Sequence, residues 1–441
     1  MASNAKKEFL QKLEDRTLVA GVVGLGYVGL PLAMLFTESG FRSMGYDLDS
    51  NKTTKLNKGQ SYINYIPNQS VKKMVKGGFE ATTEFKRLAE ADTISICVPT
   101  PLNENREPDL QYVEQTAIVI AEYLRPGQLI ILESTTYPGT TEELVLPILE
   151  RTGLKVGQDF FLAYSPERED PNNPDFTAKK IPKVIGGQTK HCLQLAKGFY
   201  GRVFDEIVPV SSPGVAEMSK LLENIYRSVN IALVNELKVV TDAMGINIWE
   251  VIKAASTKPF GFKPFFPGPG LGGHCIPIDP FYLTWKARQY GYNTRFIELA
   301  GEVNTSMPDY VVHKTVSALN RQKKAMAGAK ILVLGVAYKK NVDDVRESPA
   351  LEIIWELQEW GAKVSYHDPY VKKYPDVRKG KLGLSSKPLT PQILKSNDLV
   401  LILTDHDCVD YDLVAKHAKL VVDTRNSMAK IKTVKAEVVL A

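Results

Sequence analysis

The sequence predicts an α/β protein: two doubly wound parallel-sheet domains joined by a helical middle with one long central helix. Three observations carry that reading. The first third alternates short apolar runs with helical stretches, residues 215–244 hold neither glycine nor proline, and the alternation restarts at Lys330. Near-continuous apolar strands separated by helices belong to parallel sheets covered on both faces.

A chain of 441 residues, 44% hydrophobic and 24% charged, has globular composition and room for two or three domains. A net charge of +5 without a long basic block argues against a nucleic-acid partner. The four cysteines, Cys97, Cys192, Cys275 and Cys408, form no CxxC pair. That spacing speaks against a metal site or a disulfide framework and suits a cytoplasmic protein. The 19 uncharged residues from Leu18 to Phe36 approach bilayer-spanning length, but four glycines and Pro31 interrupt them. They read as a buried strand, a glycine turn and a buried helix, with no membrane partner and no targeting segment.

In order, VAGVV, FRSMGYD, TISICVP and LIILEST are the strands of a first domain, residues 1–212. A loop at Val210–Gly214 then leads into the long helix, where Leu221, Ile225, Val229, Leu233, Leu237 and Val240 recur at helical spacing. Such a helix serves as a domain spine or a dimer contact. Residues 213–322 form this middle, interrupted by a glycine- and proline-rich stretch from Lys258 to Pro280 and continued by a helical run to Arg321. The last domain, residues 323–441, repeats the first pattern with KILVLGVAY, AKVSYHDPY, DLVLILTD and KLVVDTRN.

Gly24-Leu25-Gly26-Tyr27-Val28-Gly29 follows the first strand and opens a helix, the context that makes a GxGxxG motif a Rossmann-like dinucleotide turn. The glycines allow a tight turn, close approach of a pyrophosphate and helix–strand packing, and the helix N-terminus favours the phosphates. Asp47 ends the next strand, 18 residues after Gly29. A carboxylate there accepts from both ribose hydroxyls and repels a 2′-phosphate, which favours NAD over NADP. Lys52 is placed for the ribose or the phosphates. Pro99-Thr100 and Ser134-Thr135 end later strands, where ligands of wound sheets lie.

Leu271-Gly272-Gly273-His274-Cys275-Ile276-Pro277-Ile278-Asp279 carries the chemistry. A cysteine in a glycine-flanked loop suits covalent work, since thiolates attack aldehydes and thioesters hydrolyse readily. Cys97, Cys192 and Cys408 read instead as inert buried thiols.

The stretches GVVGLGYVGLPLA, CVPTPLN, ESTTYPGTTEE, YSPERED, EMSKLLENIYRSVNIALVNE, FPGPGLGGHCIPIDPFYL and AYKKNVDDVRESPA together resemble the UDP-sugar 6-dehydrogenases of the UDP-glucose/UDP-mannose dehydrogenase family over essentially the whole chain. His274 and Ile278 match the N-acetyl-hexosamine branches. KPFGFKPFFPGPG and IPKVIGG resemble the UDP-N-acetylglucosamine branch, with UDP-N-acetylmannosamine and UDP-glucose enzymes as alternatives.

The resemblance implies two hydride transfers to two NAD, with the aldehyde held on Cys275 as a thiohemiacetal and then a thioester. It implies that Lys220 and Asn224 stabilise the oxyanion, that Glu167 is the base for hydrolysis, that Asp279 holds Lys220 or water, and that Thr135 positions that water. Glu167, Arg168, Lys220, Asn224, Phe265, Gly268, Gly272, Lys339 and Arg425 would line the UDP-sugar site. Arg346 would reach NAD. A homodimer or higher homo-oligomer and a place in surface polysaccharide synthesis, O-antigen included, complete the expectation. Two other readings are a one-step dehydrogenase that needs no cysteine and a catalytically dead nucleotide-binding regulator.

Overall fold

The computed structural model describes residues 4–63, 65–103, 107–169, 177–273, 276–377 and 380–441; His274 and Cys275 lie outside the described residues. The chain forms two compact units, one reaching to Glu223 and including Trp285–Tyr292, the other made of Asn224–Thr284 with Asn293–Ala441.

Among the described residues the first unit holds a sheet of β1 (Val19–Val23), β2 (Arg42–Tyr46), β3 (Phe79–Thr82), β4 (Thr93–Ile96), β5 (Leu129–Leu132), β6 (Phe161–Tyr164), β7 (Lys183–Gly187) and β8 (Ile207–Val210). Their order is β3-β2-β1-β4-β5-β6-β7-β8, so the winding reverses between β1 and β4. The first six strands run parallel, whereas β7 pairs antiparallel with β6 and carries β8 parallel to itself. The described part of the β6-to-β7 connection includes the short helical turn Ala178–Lys180, and antiparallel neighbours need no crossover helix.

The continuous apolar run of β5 has a simple cause. Leu129 and Ile131 enter the core on one face, Ile130 and Leu132 the core on the other, and all four are fully buried. Period-2 alternation therefore puts an apolar side chain on both faces, each burial contributing about 1.5–3 kcal/mol.

In the second unit β9 (Lys330–Leu334), β10 (Lys363–His367), β11 (Leu399–Ile402), β12 (Leu420–Asp423) and β13 (Glu437–Leu440) form a parallel sheet in the order β10-β9-β11-β12-β13. Ile331 and Val333 face one core, Leu332 and Leu334 the other. Both sheets tie the loop after their first strand to an acid after their second. Asp47 Oδ2 accepts the Leu25 N–H at 2.9 Å, and Asp368 Oδ2 accepts the Val336 N–H at 2.8 Å. Asp368 also accepts from the N–H groups of Ala337, Tyr370 and Val371 and lies 3.1 Å from His406 Nε2.

The long helix spans Pro213–Ala243, 31 residues. The helical run expected from Pro280 to Arg321 is two helices, Asp279–Gln289 and Arg295–Arg321. Gly291 separates them with φ +77°, a left-handed conformation that ends helices at little cost when no Cβ is present. No helix among the described residues is long and apolar enough to cross a membrane.

Candidate active site

The dinucleotide turn is built as its glycines require. Gly24 has φ +88°, and a Cβ there would lie 2.6 Å from the Cys97 carbonyl oxygen. A Cβ on Gly29 would overlap the Gly24 carbonyl, while one on Gly26 would meet nothing within 4 Å. Gly26 thus keeps open space over the turn, the cradle a pyrophosphate needs. The helix Gly29–Glu38 begins without a side-chain cap; the Leu30 and Leu32 N–H groups bond to the Gly26 and Val28 carbonyls, and the positive end of the helix lies at the turn, where it favours a phosphate. Tyr27 is exposed, while Val28, where the helix begins, packs partly against the core.

Leu25 is pinned at both ends: its N–H by Asp47, its carbonyl by the Tyr62 hydroxyl. Asp47 also accepts from the Asp49 N–H at 2.9 Å and pairs with Lys52 at 3.2 Å. A carboxylate accepts about four hydrogen bonds, so these three donors leave capacity for a ribose hydroxyl. Lys52 lies over the Tyr62 ring as well, 5.9 Å from its centroid. Tyr62 was absent from the sequence reading; it sits in an irregular segment with no motif around it. The ends of β4 and β5 are stitched together, Thr100 Oγ1 donating to the Thr135 carbonyl at 2.8 Å and Ser134 Oγ to the Val98 carbonyl at 2.7 Å. Pro99 stands beside this stitch.

At the end of β6 the carboxylate of Glu167 turns back on its own chain. Its Oε1 accepts the N–H groups of Arg168 at 2.7 Å and Glu169 at 2.6 Å. Lys220, on the long helix, donates to the Glu167 backbone carbonyl at 2.6 Å. Burial pushes the Glu167 carboxyl up, but Lys183, the two N–H donors and Lys220 outweigh it and hold it below the usual carboxylate range. Arg168 is engaged by Glu223 at 2.6 Å and by the Pro182 carbonyl at 2.8 Å. Glu217, one turn before Lys220, is fully buried and accepts from the N–H groups of Gly139 and Thr141. It fixes the TYPGTT segment, and nothing in the sequence marks it.

The second unit brings together another group. Asn224 Nδ2 donates to Asp279 Oδ2 at 2.6 Å, with both side chains buried. Asp279 was expected to hold Lys220 or water, and this bond gives it Asn224 as a partner. Asn235 accepts the Gly268 N–H at 3.0 Å and donates to Asn304 at 2.9 Å. A Cβ on Gly268 would lie 2.5 Å from an Arg425 guanidinium nitrogen, so glycine is what lets that arginine pass. Arg425 is fixed further by the Leu403 carbonyl, 2.9 Å from its Nε.

Gly272 packs on Tyr338, and the Gly273 N–H donates to the Arg346 carbonyl at 3.1 Å. The loop leading to Cys275 is therefore laid against the turn after β9, which carries Lys339. The guanidinium of Arg346 lies on Asp344, 2.6 Å from Nη2 to Oδ2. Phe265 packs edge-on against Tyr226, centroids 5.7 Å apart, while Phe262 and Phe266 are exposed. Of the cysteines expected to be inert, Cys97 and Cys192 are buried; Cys408 is exposed, in the loop between β11, which ends at Ile402, and the helix Tyr411–His417.

Residues 19–204 match the NAD-binding domain of the UDP-glucose/GDP-mannose dehydrogenase family, 214–306 its central domain and 332–430 its UDP-binding domain. The chain is 37% identical over 358 residues to a UDP-N-acetyl-D-glucosamine 6-dehydrogenase of Pseudomonas aeruginosa, covering 81% of this chain and 84% of that protein. It is 34% identical over 417 residues to a UDP-N-acetyl-D-mannosamine dehydrogenase of Pyrococcus horikoshii, covering 92% of this chain and 94% of that one. A solved UDP-D-ManNAc dehydrogenase from Pyrococcus horikoshii superposes with a TM-score of 0.87 at 33% identity, covering 96% of this chain and 99% of that one. With three successive domains matched and a dinucleotide turn that fits its cofactor, the chain belongs to the UDP-glucose/GDP-mannose dehydrogenase family and is an NAD-dependent UDP-sugar dehydrogenase.

Proposed function

We propose that the protein is a UDP-N-acetyl-D-glucosamine 6-dehydrogenase, converting the C6 CH2OH to a carboxylate with two NAD and one water, and releasing two NADH and three protons. Support comes from the pairing along the long helix, where Lys220 bonds to the Glu167 carbonyl and, four residues on, Asn224 bonds to Asp279. NAD, when bound, supplies the hydride acceptor for both oxidations. Gly24, Leu25, Gly26, Tyr27, Val28, Gly29, Asp47, Lys52, Pro99, Thr100 and Thr135 would hold it, and Arg346 is the further residue the family resemblance assigns to it.

Lys220 and Asn224 steady the negative charge on the substrate oxygen as the alcohol gives up its proton to solvent water. The Cys275 sulfur adds to the aldehyde carbon, and oxidation of that adduct leaves a thioester. Water positioned by Thr135 gives a proton to Glu167, attacks the thioester carbon and displaces the Cys275 thiolate. Asp279 orients Asn224. Lys339, Arg425, Gly268, Gly272, Phe265 and Arg168 bind the nucleotide and sugar.

On this reading residues 1–212, 213–322 and 323–441 are the NAD-binding, central and UDP-sugar-binding domains of a cytoplasmic enzyme supplying surface polysaccharide or O-antigen synthesis. A homodimer is favoured by Tyr226, Leu233, Leu237, Val240 and Met244, which recur at helical spacing on the long helix and just past its end and are each 39% exposed or more. A second reading, UDP-N-acetylmannosamine as substrate, is favoured by relatives of similar identity that carry that name. The test is kcat/KM on UDP-GlcNAc, UDP-ManNAc, UDP-GalNAc and UDP-glucose, with NADH counted per sugar. The proposal expects UDP-GlcNAc to lead with two NADH. A lead for UDP-glucose, or one NADH with free aldehyde, overturns it.

A further inference from the structure

Beneath Glu167 lies a buried ion pair that no step above uses. Lys183 Nζ, on a side chain 3% exposed, sits 2.7 Å from Oε2 of Glu133, whose side chain is fully buried. The other oxygen of Glu133 accepts from the Tyr200 hydroxyl. Lys183 also donates to the Pro166 carbonyl at 3.2 Å, lies over the rings of Tyr200 and Phe204, and stands 3.6 Å from Oε2 of Glu167. These residues come from β7, the end of β5, the helix Lys190–Tyr200 and the end of β6, so only the fold assembles them.

A buried ion pair is a poor device for stability, because desolvating both charges consumes most of their attraction. This one has a geometric consequence. The ammonium is shared between a carboxylate sealed in the core and a carboxylate 18% exposed at the candidate active site. We infer that Lys183, restrained by Glu133 and Tyr200, is a positioning residue for Glu167: it sets the direction and the proton affinity of the base that activates water. The inference rests on the proposed role of Glu167.

The groups facing Glu167 can be named. Lys183 and Lys220 favour its charged form and Glu133 opposes it. Burial pushes the Cys97 thiol well up, leaving it neutral, and the Tyr200 hydroxyl likewise. Burial disfavours the charged form of Lys183, but Glu133 and Glu167 outweigh it and keep the ammonium protonated. Glu133 takes up part of the field of Lys183 that would otherwise fall on Glu167. Two variants must then act in opposite directions. In Glu133→Gln/Lys183→Met the core stays neutral while Glu167 loses its ammonium. In Glu133→Gln alone the whole ammonium turns to Glu167.

The experiment uses the complete enzyme with UDP-GlcNAc and NAD. Steady-state kcat is followed against pH, the first-turnover NADH burst by rapid mixing, and the Cys275 acyl adduct by intact mass. The double variant is expected to lower kcat about tenfold and to move its acidic limb up by about one pH unit. The burst and kcat/KM should persist while the acyl adduct accumulates. Glu133→Gln, which keeps the size of the side chain and an amide oxygen for Lys183 while its NH2 group turns to the Tyr200 hydroxyl oxygen, should move the acidic limb down. If both variants shift the limb the same way, or neither does, the inference is wrong. Should the double variant not fold, the downward shift in Glu133→Gln decides alone. Glu167→Gln separates the two layers: undiminished hydrolysis in that variant overturns its role as base, whereas a stalled thioester there beside wild-type behaviour in the Lys183 variants overturns only the inference.

Discussion

Lys220 holds Glu167 by its main chain: the ammonium donates to the backbone carbonyl at 2.6 Å while the carboxylate is occupied by the next two N–H groups and faces Lys183. The helix thereby carries a positive charge to the strand end without pairing it with the carboxylate.

Lys220→Ala should therefore reduce kcat by about 10²–10³, the range for removing one donor to a developing oxyanion. Steady-state NADH production checks this. Equal losses in kcat and kcat/KM are expected, because the interaction strengthens as charge develops.

Cys275→Ser should abolish steady-state turnover and leave UDP-sugar affinity intact, since a hydroxyl of similar size lacks the reactivity of a thiolate. Calorimetric titration with UDP-GlcNAc and an NADH assay on the same protein read the two halves of the expectation. Normal turnover in this variant would end the covalent mechanism.

Asp47→Ala should weaken NAD binding about tenfold or more, the worth of a hydrogen bond to a charged group. It should also raise kcat/KM for NADP relative to NAD, because the charge that repels a 2′-phosphate is gone. The same substitution frees the Leu25 N–H, so loss of affinity without any gain for NADP would assign Asp47 to the turn alone.

Asp92 anchors the start of β1, accepting from the Val19 N–H at 3.0 Å, Lys12 at 2.9 Å and Arg125 at 2.7 Å. Burial raises its pKa, but these donors and charges prevail and lower it. A carboxyl depressed in the folded state adds stability above its unfolded value of about 3.9 and loses it as pH falls through the folded value. Asp92→Asn should cost about 1–3 kcal/mol at pH 7. In urea titrations the gap to the wild type should narrow as the pH falls below the unfolded value and close once it has passed the lowered folded value, where both proteins are neutral at this site.

Leu237→Asp places a charge in the exposed apolar stripe of the long helix. Light scattering should show dimers giving way to monomers in the variant. A wild-type protein that is already monomeric would remove the stripe's assignment as a self-contact.

Local signals were legible. GLGYVG, Asp47 and the strand runs depend on neighbours in sequence, through turn geometry or period-2 burial, and the fold places the glycine turn after β1 and Asp47 after β2. Cys275 was singled out by its loop alone, and the described residues stop on either side of it. What escaped was assembled by distance. Tyr62 and Glu217 act on backbone groups 37 and 76 residues away, and Lys183 meets Glu133 across 50. No periodicity records such pairings. The turn of β7 against β6 escaped for a related reason, since an apolar strand reads alike in either direction. Cys408 looked buried from its apolar surroundings, but it falls in the loop after β11, where exposed and buried residues alternate irregularly and Cys408 is among the exposed.

The acids after the second strand of each sheet have one further consequence. Asp368 receives five donors, from Val336, Ala337, Tyr370, Val371 and His406, more than the roughly four a carboxylate can accommodate. Asp47 receives three among the described residues. The acid after β2 thus keeps acceptor capacity to spare, whereas its counterpart after β10 is saturated by its own main chain and His406 together.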